Sequence, residues 1–185
     1  MKAYHIDRFG SVGGIALRAR EDPRPGLREI LMRVRASSLN YRDLMVLKGG
    51  GRGPTKIRVV PLSDGAGEVA AIGDGVTRVK IGDRIAGCFH PRWFGGPIKP
   101  DYLTDRLGAN LDGMLAEYAV LNEEALVHVP SHLSFEEAAT LPCAAVTAWV
   151  ALTVRALFEP AIAYLGEAED PLDDADRMLD FRPHL

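Results

Sequence analysis

The chain has 185 residues, 47% of them hydrophobic and 25% charged, with a formal net charge of −3. These are the values of a globular chain with one core, and they exclude collagen, coiled coil and disorder along the whole length. No apolar run approaches the roughly 18–20 residues that cross a bilayer, MKAYHIDRFG lacks the apolar stretch of a secretory signal, and two cysteines cannot build a disulfide framework, so a soluble cytoplasmic protein is expected.

Charge is unevenly placed. Residues 156–185 carry eight acids against two bases, net −6, which leaves +3 for residues 1–155. That body has no basic cluster interleaved with aromatics, so neither nucleic acid nor a membrane is an expected partner.

The body reads as short strands broken by Gly and Pro turns. Glu29 to Ser37 alternates Ile30, Met32 and Val34 with Arg33 and Arg35, the period of a half-buried strand. Further strands are expected at Lys56 to Val60, Glu68 to Ile72, Val79 to Ala86, Met114 to Leu121 and Leu126 to Val129. Asn40-Tyr41-Arg42-Asp43 follows the first of these and Pro61–Gly67 the second; polar groups at strand ends are the usual material of a site, although each alone also makes an ordinary turn. Cys88–Gly113 holds three prolines and no clean period, which suggests a long ordered excursion or lid with Trp93, Phe94 and Tyr102 to pack. At Ser134-Phe-Glu-Glu137 a capping box starts a helix, Pro142 interrupts it, and Cys143 to Phe158 has the Ala, Leu and Trp content of a buried helix. Mainly β with some α, as a barrel or sandwich, is the expected class.

Three motifs fail their chemical test. Gly65-Ala-Gly-Glu-Val-Ala70 resembles a loose dinucleotide fingerprint, but a β-like run and the turn Gly73-Asp74-Gly75 leave no room for the phosphate-binding helix, so strand glycines are expected. Gly49–Gly53 lacks the Gly-Lys-Ser/Thr of a phosphate loop and reads as a flexible turn. His128 and His132 are separated by Pro130, which denies them a shared helical face, and no metal site is expected from the histidines and cysteines.

Taken together, Ser38-Leu-Asn-Tyr-Arg-Asp43, Pro61–Gly67, Gly73–Arg84, Asp112–Tyr118 and Leu133–Leu152 resemble the N-terminal half of a medium-chain dehydrogenase/reductase. The resemblance covers most of residues 25–152 and implies a GroES-like, partly open β-barrel on the substrate side of an oxidoreductase site, followed by a helical segment and a short acidic tail. It divides the chain into a substrate-side domain (1–133), a helical connector (134–158) and a tail unlike the family (159–185). Zinc-dependent members have Cys where this chain has Asn40 and His where it has Ser63; only Cys143 matches a ligand. One thiolate is too few for a catalytic zinc. The resemblance is therefore to the zinc-free, quinone-oxidoreductase-like branch, using NAD(P)H and no zinc.

Within that resemblance Asn40, Asp43 and Asp64 are the expected catalytic residues, and Tyr41, Arg42, Cys143 and Thr147 line the cofactor side. Asn40 and Tyr41 would donate to the substrate oxygen, with Arg42 as a cationic alternative. Asp43 and Asp64 would orient Asn40 and Arg42, and Thr147 would lie near the nicotinamide. The expected substrate is a small carbonyl, enone or quinone. From Thr153 onward the sequence shows no strand, Gly-rich turn and helix unit, so a truncated oxidoreductase lacking its Rossmann half is expected. Such a chain would turn over little by itself and would expose the Cys143–Phe158 helix to a second copy or a partner chain. The other readings are a non-catalytic binding module and a remnant of a frameshifted gene.

Overall fold

A computed structural model describes residues 1–50, 54–93, 95, 96 and 99–155. The expectations for the Gly49–Gly53 turn, for Phe94 and for the acidic tail fall wholly or partly outside these residues.

The chain divides into two compact units, Met1–Ala145 and Val146–Leu185. In the first, β1 (Lys2–Ile6) and β2 (Ile15–Ala19) form a two-stranded antiparallel ribbon. β3 (Glu29–Ser38), β4 (Asp64–Ile72), β5 (Arg84–Gly87), β6 (Tyr118–Asn122) and β7 (Leu126–His128) form a five-stranded sheet in the order β6-β3-β4-β5-β7, every pair antiparallel. These are open sheets, not a closed barrel, and the class is mainly β with short helices.

The alternation in β3 sets the core. Ile30 and Met32 point inward and are fully enclosed with Val69, Ile85, Met114 and Leu126. Each side chain buried at such a site contributes about 1.5–3 kcal/mol. Gly67 lies within β4, where a Cβ would stand 2.0 Å from the Arg33 carbonyl oxygen. The glycines of the apparent fingerprint thus lie on β4 and let it pass close to β3 and Met114.

Some expected strands differ. Lys56 to Val60 is not a strand, because Arg58 sits at φ 55° and turns the chain. Val59 and Val60 are still buried, and their carbonyls accept from Ile6 and Gly113. The apolar run marks core, not a ladder. Val79 to Ala86 becomes a strand only at Arg84, after a turn closed by the Asp83 carboxylate on the Lys80 amide at 3.0 Å. Met114 to Leu121 pairs from Tyr118 on, with the preceding residues tied to Pro61 and Leu62. β1 and β2 carry no signal that the alternation test detects.

The capping box forms as its residues require. Ser134 Oγ accepts from the Glu137 amide at 3.1 Å and Glu137 returns a carboxylate oxygen to the Ser134 amide at 2.8 Å, opening α2 (Phe135–Ala139). A π-helical turn, Leu141–Ala145, follows Thr140 and carries Cys143. In the second unit, α3 (Val146–Val150) runs into a π-helical turn at Ala151–Arg155. Val146, Trp149, Val150 and Leu152 are exposed, Trp149 by 69%, so this segment has the apolar content of a buried helix but the exposure expected of one that would meet a partner. Ala, Leu and Trp content alone does not fix which face is covered. Residues beyond Arg155 lie outside the described chain.

Candidate functional site

Antiparallel pairing places β3 and β5 parallel to each other across β4, so the ends of β3 and β5 and the start of β4 meet at one edge of the sheet. Ser38 pairs with Asp64, and Gly87 ends the strand beside them. Asn40-Tyr-Arg-Asp43, Ser63-Asp64 and Cys88-Phe-His90 therefore gather at the same place.

Asn40-Asp43 is not a simple turn. It starts α1 (Tyr41–Leu47), with Asn40 as the extended N-cap at φ −127°, ψ 155°. Asp43, at the third helical position, accepts the Asn40 backbone N–H at 2.8 Å on one oxygen and the Arg42 guanidinium at 3.1 Å on the other. The carboxylate thereby fixes both neighbours that the family resemblance singles out. Burial pushes the Asp43 carboxyl above its ordinary range, partly offset by the Asn40 N–H and by Arg42. The Asn40 amide nitrogen Nδ2 is buried and has no hydrogen-bond partner among the described residues. Leaving such a donor unsatisfied costs about 1–3 kcal/mol, the kind of deficit that a ligand oxygen removes.

Asp64 acts elsewhere in the cluster. It is fully buried, as is Ser63; it accepts the Ser63 hydroxyl at 2.7 Å and the Cys143 backbone N–H at 3.0 Å. The two Asp64 oxygens thus hold the positions that match zinc ligands in relatives, while neither reaches Asn40 or Arg42 by a hydrogen bond. Leu62, just before Ser63, is held at φ 71° by the close approach of Gly108 and Gly113. A Cβ on Gly113 would lie 1.9 Å from the Leu62 carbonyl oxygen, so glycine is required there.

Arg42 is mostly enclosed and lies 4.3 Å above the Phe89 ring. Burial pulls its pKa down, and the charges of Asp43, Cys143 and Asp64 pull it up, so these groups share one electrostatic environment. Tyr41, by contrast, is 72% exposed at the first position of α1. Thr147 belongs to the second unit, on α3, and its side chain is exposed.

Sequence reasoning missed Phe89, His90 and Arg106. The signal available was position: Phe89 and His90 directly follow a strand whose end meets the Asn40 turn. Among the described residues no group of three or more His, Cys, Asp and Glu is placed to hold a metal ion. At the matched positions stand the Asn40 amide, a Ser63 hydroxyl committed to Asp64 and the Cys143 thiol.

Residues 26–131 match the alcohol dehydrogenase GroES-like domain. The chain belongs to that family, among the medium-chain dehydrogenases/reductases. It is 48% identical over 122 residues to a zinc-type alcohol dehydrogenase-like protein of Schizosaccharomyces pombe, covering 65% of this chain and 35% of that one. It is 36% identical over 157 residues to the chloroplastic quinone-oxidoreductase QR1 of Triphysaria versicolor, covering 83% and 42%. A solved thermostable alcohol dehydrogenase from Pyrobaculum aerophilum superposes with a TM-score of 0.68 at 31% identity, covering 80% of this chain and 46% of that one. The chain therefore spans less than half the length of each of these relatives. No helix among the described residues is long and apolar enough to cross a membrane.

Proposed function

We propose that this chain supplies the substrate wall of a zinc-independent, NAD(P)H-dependent oxidoreductase acting on a carbonyl, enone or quinone. The observation that carries the reading is the buried, unpartnered Asn40 Nδ2 beside a Ser63 whose hydroxyl is already given to Asp64. A zinc ion is held by thiolate, imidazole or carboxylate, and these positions carry an amide and a hydroxyl. A substrate oxygen that gains negative charge needs a preorganised, desolvated donor, which Asn40 provides. When bound, the nicotinamide supplies the hydride; the residues here bind and orient the acceptor. Asp43 fixes the Asn40 backbone, and Arg42 adds positive charge beside the forming oxyanion. Nucleotide binding needs residues outside those described, since every pairing between the named strands is antiparallel. The nucleotide in this reading is NAD(H) or NADP(H), in a cytoplasmic setting.

Duroquinone is a suitable neutral probe. Its binding to the chain, followed by amide chemical shifts, is expected to weaken about tenfold in Asn40→Ala, the loss of one hydrogen bond to a polarised oxygen. Equal binding by the variant, or uptake of one equivalent of Zn²⁺ that Cys143→Ser abolishes, contradicts the reading.

The exposed Val146, Trp149 and Leu152 favour a second reading, in which the helical segment docks a partner chain or a second copy. A concentration-dependent oligomer that Trp149→Glu dissolves would support it.

A further inference from the structure

The corner that holds Asn40 and Arg42 also collects His90 and Arg106, which the reading above leaves without a task. The Phe89 ring packs on His90 with centroids 4.0 Å apart, and Arg42 covers the Phe89 ring. The Leu107 amide donates to the Phe89 carbonyl at 3.3 Å, which brings Arg106 to the same corner. Burial pulls the His90 pKa below its ordinary 6.5, and the Arg106 and Arg42 charges lower it further, against the Asp105 and Tyr102 backbone. The Arg42 and Arg106 charges therefore both act on His90.

Their hydrogen bonding is incomplete. Arg42 is paired with Asp43. Arg106 makes no ion pair among the described residues; its Nη2 reaches only the Pro54 carbonyl at 3.3 Å, and its Nε is buried without a partner. His90 interacts with the Asp105 and Tyr102 backbone, but its Nδ1 is buried without a partner among the described residues. The nearby acids are engaged elsewhere: Asp105 pairs with Arg92, and both Asp64 oxygens are taken by Ser63 and Cys143. Like charges held together with orphaned donors are costly unless an anion joins them.

We propose that Arg106, His90 and Arg42 form an anion subsite that receives the carboxylate of an acidic carbonyl or enone whose reacting oxygen lies at Asn40. The subsite deepens the function proposed above, on which the location of the reacting oxygen rests. Of Arg42 and Arg106, only Arg42 has an ion pair among the described residues, so Arg106 is the cation that an added carboxylate would meet. Phosphate shares the chemistry, so the test includes it.

The His90 ring resonances, followed by NMR across pH at constant ionic strength, read the subsite without turnover. Sodium succinate is expected to raise the His90 midpoint by about half a unit, because an anion stabilises the imidazolium. Neutral dimethyl succinate is expected to leave it in place. Arg106→Gln is expected to weaken succinate binding about tenfold, as for a lost charge-assisted pair, and Arg106→Lys to recover part of it. Because Arg106→Lys keeps the charge, its recovery separates a binding role from a folding defect. No shift with succinate, or equal binding by Arg106→Gln, overturns the subsite. Inorganic phosphate binding more tightly than succinate overturns the carboxylate assignment. Either failure leaves the duroquinone contact at Asn40 standing, and loss of that contact leaves the anion result standing.

Discussion

Glu123 and Asp43 are both buried carboxylates, but their surroundings differ. Glu123 accepts the Thr77 and Arg78 backbone amides at 2.7 and 2.8 Å and the Arg28 guanidinium at 2.8 Å, and these hold its pKa down to about 2. Asp43 accepts one amide and one guanidinium, and burial pushes it up. Around Glu123 the donors meet acceptors; next to Asp43 the Asn40 Nδ2 is buried without a hydrogen-bond partner among the described residues. The satisfied carboxylate staples the β6–β7 connection to the 76–78 turn. The under-satisfied corner is where hydrogen-bonding capacity is left for something else.

Breaking the staple is expected to cost most. Glu123→Ala strands the Thr77 and Arg78 amides, so its urea midpoint should fall below that of every variant named here. A midpoint like that of the parent would remove the structural side of the comparison. The pH dependence sharpens it, because the two groups have opposite signs. A depressed carboxylate contributes stability above its unfolded pKa, 4.5 for Glu123, that is lost as pH falls toward about 2. Glu123→Gln should flatten that acid limb. The raised Asp43 contributes stability below 3.8 that is lost as pH rises through its folded value. Asp43→Asn should therefore remove a gain on acidification, where Glu123→Gln removes a loss; urea midpoints across pH read both.

Asn40→Ala is expected to change stability by about 1 kcal/mol or less, since its Nδ2 has no partner to lose, while weakening duroquinone. A large stability loss would make Asn40 structural. The smallest effect belongs to Arg35→Ala, which opens the exposed Arg35–Glu68 pair and should cost under about 0.5 kcal/mol.

Much of this was legible in the residues. β3 announces itself because one face is buried and the other wet, and α2 because its capping box is local. Lys56–Val60 misled because burial by loops and burial by a ladder leave the same apolar run; the left-handed Arg58 is a tertiary outcome. Asn40, Asp43 and Asp64 were reachable from strand ends and family resemblance. Arg106 and His90 were not, because the contacts that assemble them join Arg42 to Phe89 and Phe89 to Leu107 through space, the latter two within a segment with no period. For the same reason Asp64 was assigned to Asn40 and Arg42 when its oxygens serve Ser63 and Cys143.

The central claim is that the Asn40 side-chain amide is an oxygen-binding donor in place of a metal ligand. Its ¹⁵N–¹H₂ resonance during a duroquinone titration tests that most directly. The account predicts a saturable shift of this resonance, with Asn40→Ala binding about tenfold more weakly. A resonance that stays still while duroquinone binds, or one that moves only on addition of Zn²⁺, would contradict it.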